Sequence, residues 1–509
     1  MKLLPVTCAL AALSLGSHAY AWDFVLLDSD KPASNLRITS EQLGLKVDKP
    51  FSVSMRTLHG GRQEGVSLID IDNGTMKLTV VPTRGMNVLS AQVGSARMGW
   101  DSPVKEVVNP AFIELNGRGG LGWLEGFNEL VTRCGYEWVG HPGMDNGELL
   151  TLHGRAANIP ASRVTVHIDE TPPYAIHVRG ELKEQAFKKV DFSVQTELVT
   201  EPGAAHFVLN DTLTNNGDYP KEYQALYHSN FSTPLLEEGA RFAAPVKQVS
   251  PFNDKARADL GDWQTYRAPT PDYDETVYNV VPYGDAKGNT LTVLHNKAAS
   301  LGVAVGFNVQ QLPVFSLWKN TDTRGQGYVT GLEPGTSFSY NRRYQRPLNL
   351  VPTIGPKQQR QFSISYTLLA DEPAVGKALQ QVKAIQDGRA TEVRQTPLVD
   401  LSKNDQYREE GARNRQACAV IDWPGPTFSA WARPGIKHGA HQSLSGFPKS
   451  ICRCRWDMRS SGIYSRMSHH ELPRDLALSR IRELSRHALL DKQPTHFMVD
   501  LMIMKVIGG

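Results

Sequence analysis

The stretch Val190-Asp191-Phe192-Ser193-Val194-Gln195-Thr196-Glu197-Leu198 alternates without a break. Val190, Phe192, Val194, Thr196 and Leu198 fall on one side, and Asp191, Ser193, Gln195 and Glu197 on the other. Successive strand side chains point to opposite faces, so a period of two predicts a β-strand with one packed and one wet face. The pattern returns near the end of the strand-rich region, where Phe362, Ile364, Tyr366 and Leu368 alternate with Gln361, Ser363, Ser365 and Thr367.

Residues 76–81, 176–182, 206–213, 222–231 and 301–307 also read as strands. Turn sequences punctuate them, among them Asp72-Asn73-Gly74, Asn215-Asn216-Gly217 and Glu333-Pro334-Gly335. No long amphipathic helix interrupts the series before residue 375. Many strands without crossover helices imply antiparallel sheets, and hence an all-β protein built as one large β-sandwich. Residues 374–387 carry Val375, Leu379, Val382 and Ile385 near helical spacing, which predicts a closing helix.

The chain of 509 residues is 40% hydrophobic, enough for a large core and too much for a disordered chain. A net charge of +3 gives no argument for nucleic acid or an anionic membrane as partner, and five cysteines exclude a disulfide scaffold. The charge is unevenly spread. Residues 401–509 carry 17 Lys and Arg against 10 Asp and Glu, whereas the first 400 carry 38 against 42. The last 109 residues also hold three of the five cysteines and six of the fifteen histidines.

Three pieces are therefore expected: 1–21, 22–398 and 399–509. Lys2, an apolar run over 3–15 and Ala19-Tyr20-Ala21 ahead of Trp22 form the pattern of a secretory signal peptide. This predicts a periplasmic or secreted bacterial protein, free of the membrane after cleavage. Cys8 would leave with the leader, and Cys134, the only thiol between leader and seam, reads as a small buried apolar residue. The basic piece 399–509 reads as a nonhomologous or disordered extension, with a helix expected only around 473–490. Its Cys452-Arg453-Cys454 and His469-His470 do not match structural zinc spacing, so no metal is expected; a disulfide between Cys452 and Cys454, or to Cys418, stays open.

Three short segments combine polar chemistry with strand character. The first is Leu152-His153-Gly154-Arg155, followed by Asn158-Ile159-Pro160-Ala161. The second is Tyr227-His228-Ser229-Asn230-Phe231, where alternation aligns Gln224, His228 and Asn230. The third is Gly331-Leu332-Glu333-Pro334-Gly335, shortly after Leu317-Trp318-Lys319-Asn320; here Val329, Gly331 and Glu333 share a face.

In this order the three segments resemble the aldose 1-epimerases of the galactose mutarotase-like superfamily. The likeness is greater to a bacterial branch known by a domain of unknown function. Gly60-Gly61-Arg62 with Glu64-Gly65-Val66, Pro82-Thr83-Arg84-Gly85-Met86, Gly99-Trp100-Asp101-Ser102-Pro103 and Cys134-Gly135 support it, and the likeness spans residues 52–369. It implies a supersandwich with a sugar site on a concave sheet face. It further implies Glu333 as general base on the anomeric hydroxyl, His228 as general acid toward the ring oxygen and His153 as supporting histidine. A literal Leu58-His59-Gly60-Gly61 makes His59 the alternative to His153.

Opening a cyclic hemiacetal needs one proton removed and one delivered nearly together, which a carboxylate and an imidazole can do near neutral pH without metal or organic cofactor. Arg84, Arg155, Asn230, Trp318 and Lys319 are the expected substrate contacts. Trp318 would serve as a stacking platform, and the three cations would suit an acidic or phosphorylated sugar. The rival readings are a carbohydrate-binding protein without turnover, and an isomerase or lyase moving a proton from carbon with the same Glu and His.

Overall fold

The computed structural model describes residues 22–31 and 36–401. The expected leader, and the extension from residue 402 with its helix, cysteines and histidines, lie outside the described residues.

Two sheets carry the fold. The first has nine strands in the order Trp22–Asp28, Arg163–Ile168, Ile176–Ala186, Val190–Thr200, His206–Asn215, Gln359–Leu369, Gly302–Asn308, Asn289–His295 and Arg241–Ala243. The second has thirteen strands, and its centre runs Val131–Tyr136, Gln224–Phe231, Val329–Gly335, Val314–Asn320, Thr276–Pro282. Pairing is antiparallel throughout the named strands.

The strand over Val190–Thr200 buries every second side chain, from Val190 to Thr200, as the alternation predicts. Phe362, Ile364, Tyr366 and Leu368 do the same on the Gln359–Leu369 strand. Their apolar faces meet Leu317, Tyr227 and Val88 of the other sheet in one core. Each such side chain contributes about 1.5–3 kcal/mol through burial. The stretch 222–231 departs from a single strand. Lys221–Glu222 pairs with Thr353–Ile354, and only Gln224–Phe231 enters the large sheet, because Tyr223 N–H turns to donate to Pro352 O.

The closing helix spans Glu372–Gln386. Asp371 caps it by accepting from Ala374 N–H at 2.8 Å, and Asp387 ends it in the left-handed region at φ 49. Val375, Ala378 and Val382 seat it on Val293, Ala304 and Leu369. Among the described residues no helix is long and apolar enough to cross a membrane.

The position of the site follows from the strand Gln224–Phe231, all of whose residues are buried. Tyr227 and Ser229 face the core, where Tyr227 donates to Asp211 at 2.8 Å and Ser229 meets Tyr366 OH at 2.8 Å. Leu226, His228 and Asn230 therefore face the other way. That face is covered by a second apolar cluster in which Trp100, Trp123, Phe127, Val139 and Leu152 pack on Cys134, Leu226 and Val329. Cys134 is a buried free thiol within it, as expected.

Candidate active site

Register brings His228 and Glu333 together. The pairs Leu226–Gly335 and Ser229–Leu332 place His228 opposite Glu333, while Ser316 flanks Glu333 on its other side. His228 Nε2 lies 3.2 Å from Glu333 Oε1. Between them the floor is Gly331, opposite both Asn230 and Trp318. A Cβ there would stand 2.4 Å from Glu333 Oε1, 3.1 Å from Trp318 Cε3 and 3.2 Å from His228 Cε1. The third position of the Val329–Gly335 strand is thus a space requirement rather than a turn requirement.

His153 arrives from the covering layer. It sits in the left-handed region at φ 56, with its N–H donating to Gly140 O at 2.9 Å and its carbonyl accepting from Gly135 N–H at 3.0 Å. Gly154 follows because a Cβ there would come within 2.3 Å of Trp138 O. This turn delivers the His153 ring to His228, with ring centroids 5.3 Å apart and edge-on. Trp123 stands 5.0 Å from His153, Phe127 5.1 Å from His228 and Trp318 5.4 Å from His228.

These residues line a cavity of about 120 Å³. Among the described residues, His153 Nδ1 and Trp123 Nε1 are buried polar atoms without a hydrogen-bond partner, and Glu333 Oε1 has none besides the His228 Nε2 that faces it. An unpaired buried polar group costs about 1–3 kcal/mol, so two at one cavity, beside a carboxyl with spare acceptor capacity, point to a polar ligand.

Burial sets the electrostatics. It pushes the Glu333 carboxyl up to about 8, against a lowering by the Ser339 hydroxyl and a further raising by Glu275. It also lowers the His228 imidazole to about 4, against the hydrogen bond to Asn230. His153 is held well below the usual imidazole range by burial first, then by His228 and His141. At neutral pH the His228–Glu333 pair thus shares one proton.

The expected substrate contacts divide. Trp318 lines the cavity, with its Nε1–H donating to Glu275 at 2.7 Å. Asn230 acts behind His228: its Oδ1 lies 2.8 Å from His228 Nδ1, and its Nδ2 donates to Glu129 O at 3.0 Å. Nδ1 of His228 therefore carries the hydrogen, and Nε2 faces Glu333.

The three cations stand away from the cavity lining. Arg84 is buried against Glu129 at 2.7 Å and Asn158 at 2.9 Å, where it fastens the covering layer to the sheet. Arg155 pairs with Glu137 at 3.6 Å and lies over the Trp138 ring. Lys319, one residue past Trp318, points to the opposite face and donates to Trp263 O and Thr265 O. His59, the alternative histidine, is 74% exposed in its side chain and engaged with Glu64 at 3.0 Å.

Sequence reasoning passed over Trp123, Phe127, His141, Glu275 and Ser339, which also line the cavity. Only the tertiary fold gathers them; no spacing ties residue 123 to residue 275. Among the described residues no group of three or more His, Cys, Asp or Glu could hold a metal ion.

This architecture is a large antiparallel β-sandwich with its candidate site on the inner strands of the thirteen-stranded sheet. Residues 63–368 match the family described as domain of unknown function DUF4432, and the chain belongs to that family. A crystal structure of a candidate aldose 1-epimerase from Klebsiella pneumoniae is 48% identical, with a TM-score of 0.73, covering 75% of this chain and all of that one. More distant are a galactose mutarotase-like protein from Clostridium acetobutylicum (13% identity, TM-score 0.42, 62% and 98% coverage) and a candidate aldose 1-epimerase from Escherichia coli (10%, 0.38, 60% and 99%). No match is found among curated proteins.

Proposed function

We propose that this protein interconverts sugar anomers by acid/base catalysis, with Glu333 and His228 moving the protons and His153 holding the sugar. The observation that carries the reading is the convergence on one cavity of the buried His228–Glu333 pair with His153 Nδ1 and Trp123 Nε1, which are buried and without a partner among the described residues. Sugar hydroxyls are the partners such atoms call for. The aromatic walls of Trp318 and Phe127 suit the C–H faces of a pyranose.

In the proposed step Glu333 takes the proton of the anomeric hydroxyl while His228 gives one to the ring oxygen. The bond from the anomeric carbon to the ring oxygen breaks, the open aldehyde turns about its first carbon–carbon bond, and closure reverses both transfers. Burial favours the neutral pair at rest, with the proton on Glu333. Hydroxyls donating to the carboxylate stabilise its charged form, so the proton moves to His228 and the base and acid appear together. Positioned groups of this kind contribute about 10²–10⁴-fold in rate.

The test is exchange NMR between the α and β anomers of a sugar panel, with blanks for spontaneous mutarotation. Acceleration by the wild type, lost in Glu333→Gln and in His228→Ala, supports the reading; normal turnover in Glu333→Gln sinks it. We also infer a periplasmic or secreted protein from the leader pattern of residues 1–21. N-terminal sequencing of the protein recovered from cells should begin at Trp22, and an intact Met1 would refute export.

A further inference from the structure

The cavity that the proposed epimerase reading assigns to the sugar carries an uneven charge. Among the described residues two carboxyl groups line it, Glu333 at the floor and Glu275, while no lysine or arginine does. The three cations expected as sugar contacts are all committed elsewhere: Arg84 to Glu129, Arg155 to Glu137, Lys319 to two backbone carbonyls. A site built for a phosphate or carboxylate would present donors with positive charge, commonly a bidentate arginine. This one presents a carboxylate instead.

Glu275 is exposed, unlike the buried floor residues, and so stands where a ligand enters. Its Oε2 accepts from Trp318 Nε1 at 2.7 Å, which ties the charge to the aromatic wall against which a sugar would lie. The next residue, Thr276, begins the strand paired to the one carrying Trp318, so the backbone around Glu275 is anchored by the sheet. The charge is felt inside as well, since Glu275 is among the groups that raise Glu333.

We propose that Glu275 is the charge selector of the site: its fixed carboxylate rejects uronates and sugar phosphates and admits neutral and amine-bearing sugars. The proposal rests on the epimerase reading for the identity of the ligand, and adds a substrate class and the residue that sets it. Discrimination here comes from repulsion of the wrong partner rather than from extra contacts to the right one. Glu275→Gln is the informative variant, because the amide oxygen keeps the acceptor for Trp318 Nε1 while the charge is removed.

The experiment uses one pyranose scaffold in four forms: glucose, glucosamine, glucuronate and glucose 6-phosphate. Anomer exchange and binding are measured for each with the wild type and Glu275→Gln at constant ionic strength. The expected result is that the wild type prefers glucose and glucosamine, and that Glu275→Gln narrows the gap to the two anions by about tenfold. The same variant should move the alkaline limb of the pH profile to lower pH, a shift that a purely structural role would not produce.

Turnover of the anions as fast as glucose in the wild type, or an unchanged ratio in Glu275→Gln, overturns the selector while the epimerase reading stands. If no sugar is turned over, that reading falls, and binding decides the selector by the same ratios. Absence of both turnover and binding overturns both.

Discussion

Two histidine–glutamate pairs of nearly equal separation behave in opposite ways. On the outer face of the nine-stranded sheet, His177 Nδ1 lies 3.0 Å from Glu197 Oε1; in the cavity, His228 Nε2 lies 3.2 Å from Glu333 Oε1. The outer pair strengthens both charges. The hydrogen bond to Glu197 raises His177, and Glu197 falls to about 2, first through His177 and then through Arg179 and Asn210. The inner pair weakens both, with His228 near 4 and Glu333 near 8. Distance cannot explain the contrast; hydration does. The outer pair keeps partial contact with water and gains further partners, whereas the covering layer strips water from the inner pair and stores a transferable proton there.

The largest expected difference between the two pairs is chemical. Glu333→Gln should reduce anomer exchange by about 10²–10⁴-fold, as for loss of a positioned acid/base group. The fold should survive, with a melting temperature at pH 8 no lower than wild type, because a buried titratable carboxyl is removed. Glu197→Gln on the outer pair should leave exchange untouched.

Next in size is Gly331→Ala. The new methyl would press on Glu333 Oε1, so the carboxylate must move, and a displacement on the order of 1 Å costs about 10²-fold. Circular dichroism should show an unchanged sheet signal beside the loss of turnover. Retained activity would mean that the floor is wider than the packing shows.

The pH dependence of exchange also follows from the inner pair. Exchange needs one proton on the inner pair, so activity should be greatest between about pH 4 and about pH 8. Below the lower limb both groups carry protons and no base remains; above the upper limb neither does and no acid remains. A profile centred on ordinary carboxylate and imidazole values would show that the pair is hydrated in solution.

The smallest effect belongs to the outer pair. Glu197 is depressed in the folded state, so its contribution is present above the ordinary carboxylate value and is lost as pH falls toward about 2. His177 is raised, so its contribution is present below the ordinary imidazole value and is lost as pH rises through the raised one. For a pair this close to solvent, Glu197→Gln should cost about 0.2–1 kcal/mol in denaturant unfolding at pH 6.

The strands of the body were legible because period two is a local property: a side chain on Val190–Thr200 meets water or core according to parity alone. The sandwich class followed from many such strands with no helix between them. The order of the His153, His228 and Glu333 segments carried the likeness to the family, and register then placed His228 against Glu333. What parity could not say is what lies above a strand whose two faces are both buried, as on Gln224–Phe231.

Amino-acid sequence alone thus determined the all-β class, most strand positions, the closing helix and the segments that carry His153, His228 and Glu333. The tertiary structure decided the rest. It set Arg84, Arg155 and Lys319 away from the cavity and Asn230 behind His228, put His153 at the cavity and His59 on the surface, and brought Trp123, Phe127 and Glu275 to the cavity lining. The physical reason is that charge, hydration and proton affinity depend on neighbours distant in the chain. Arg84 is read only beside Glu129, and Glu333 only beneath the layer that excludes water from it.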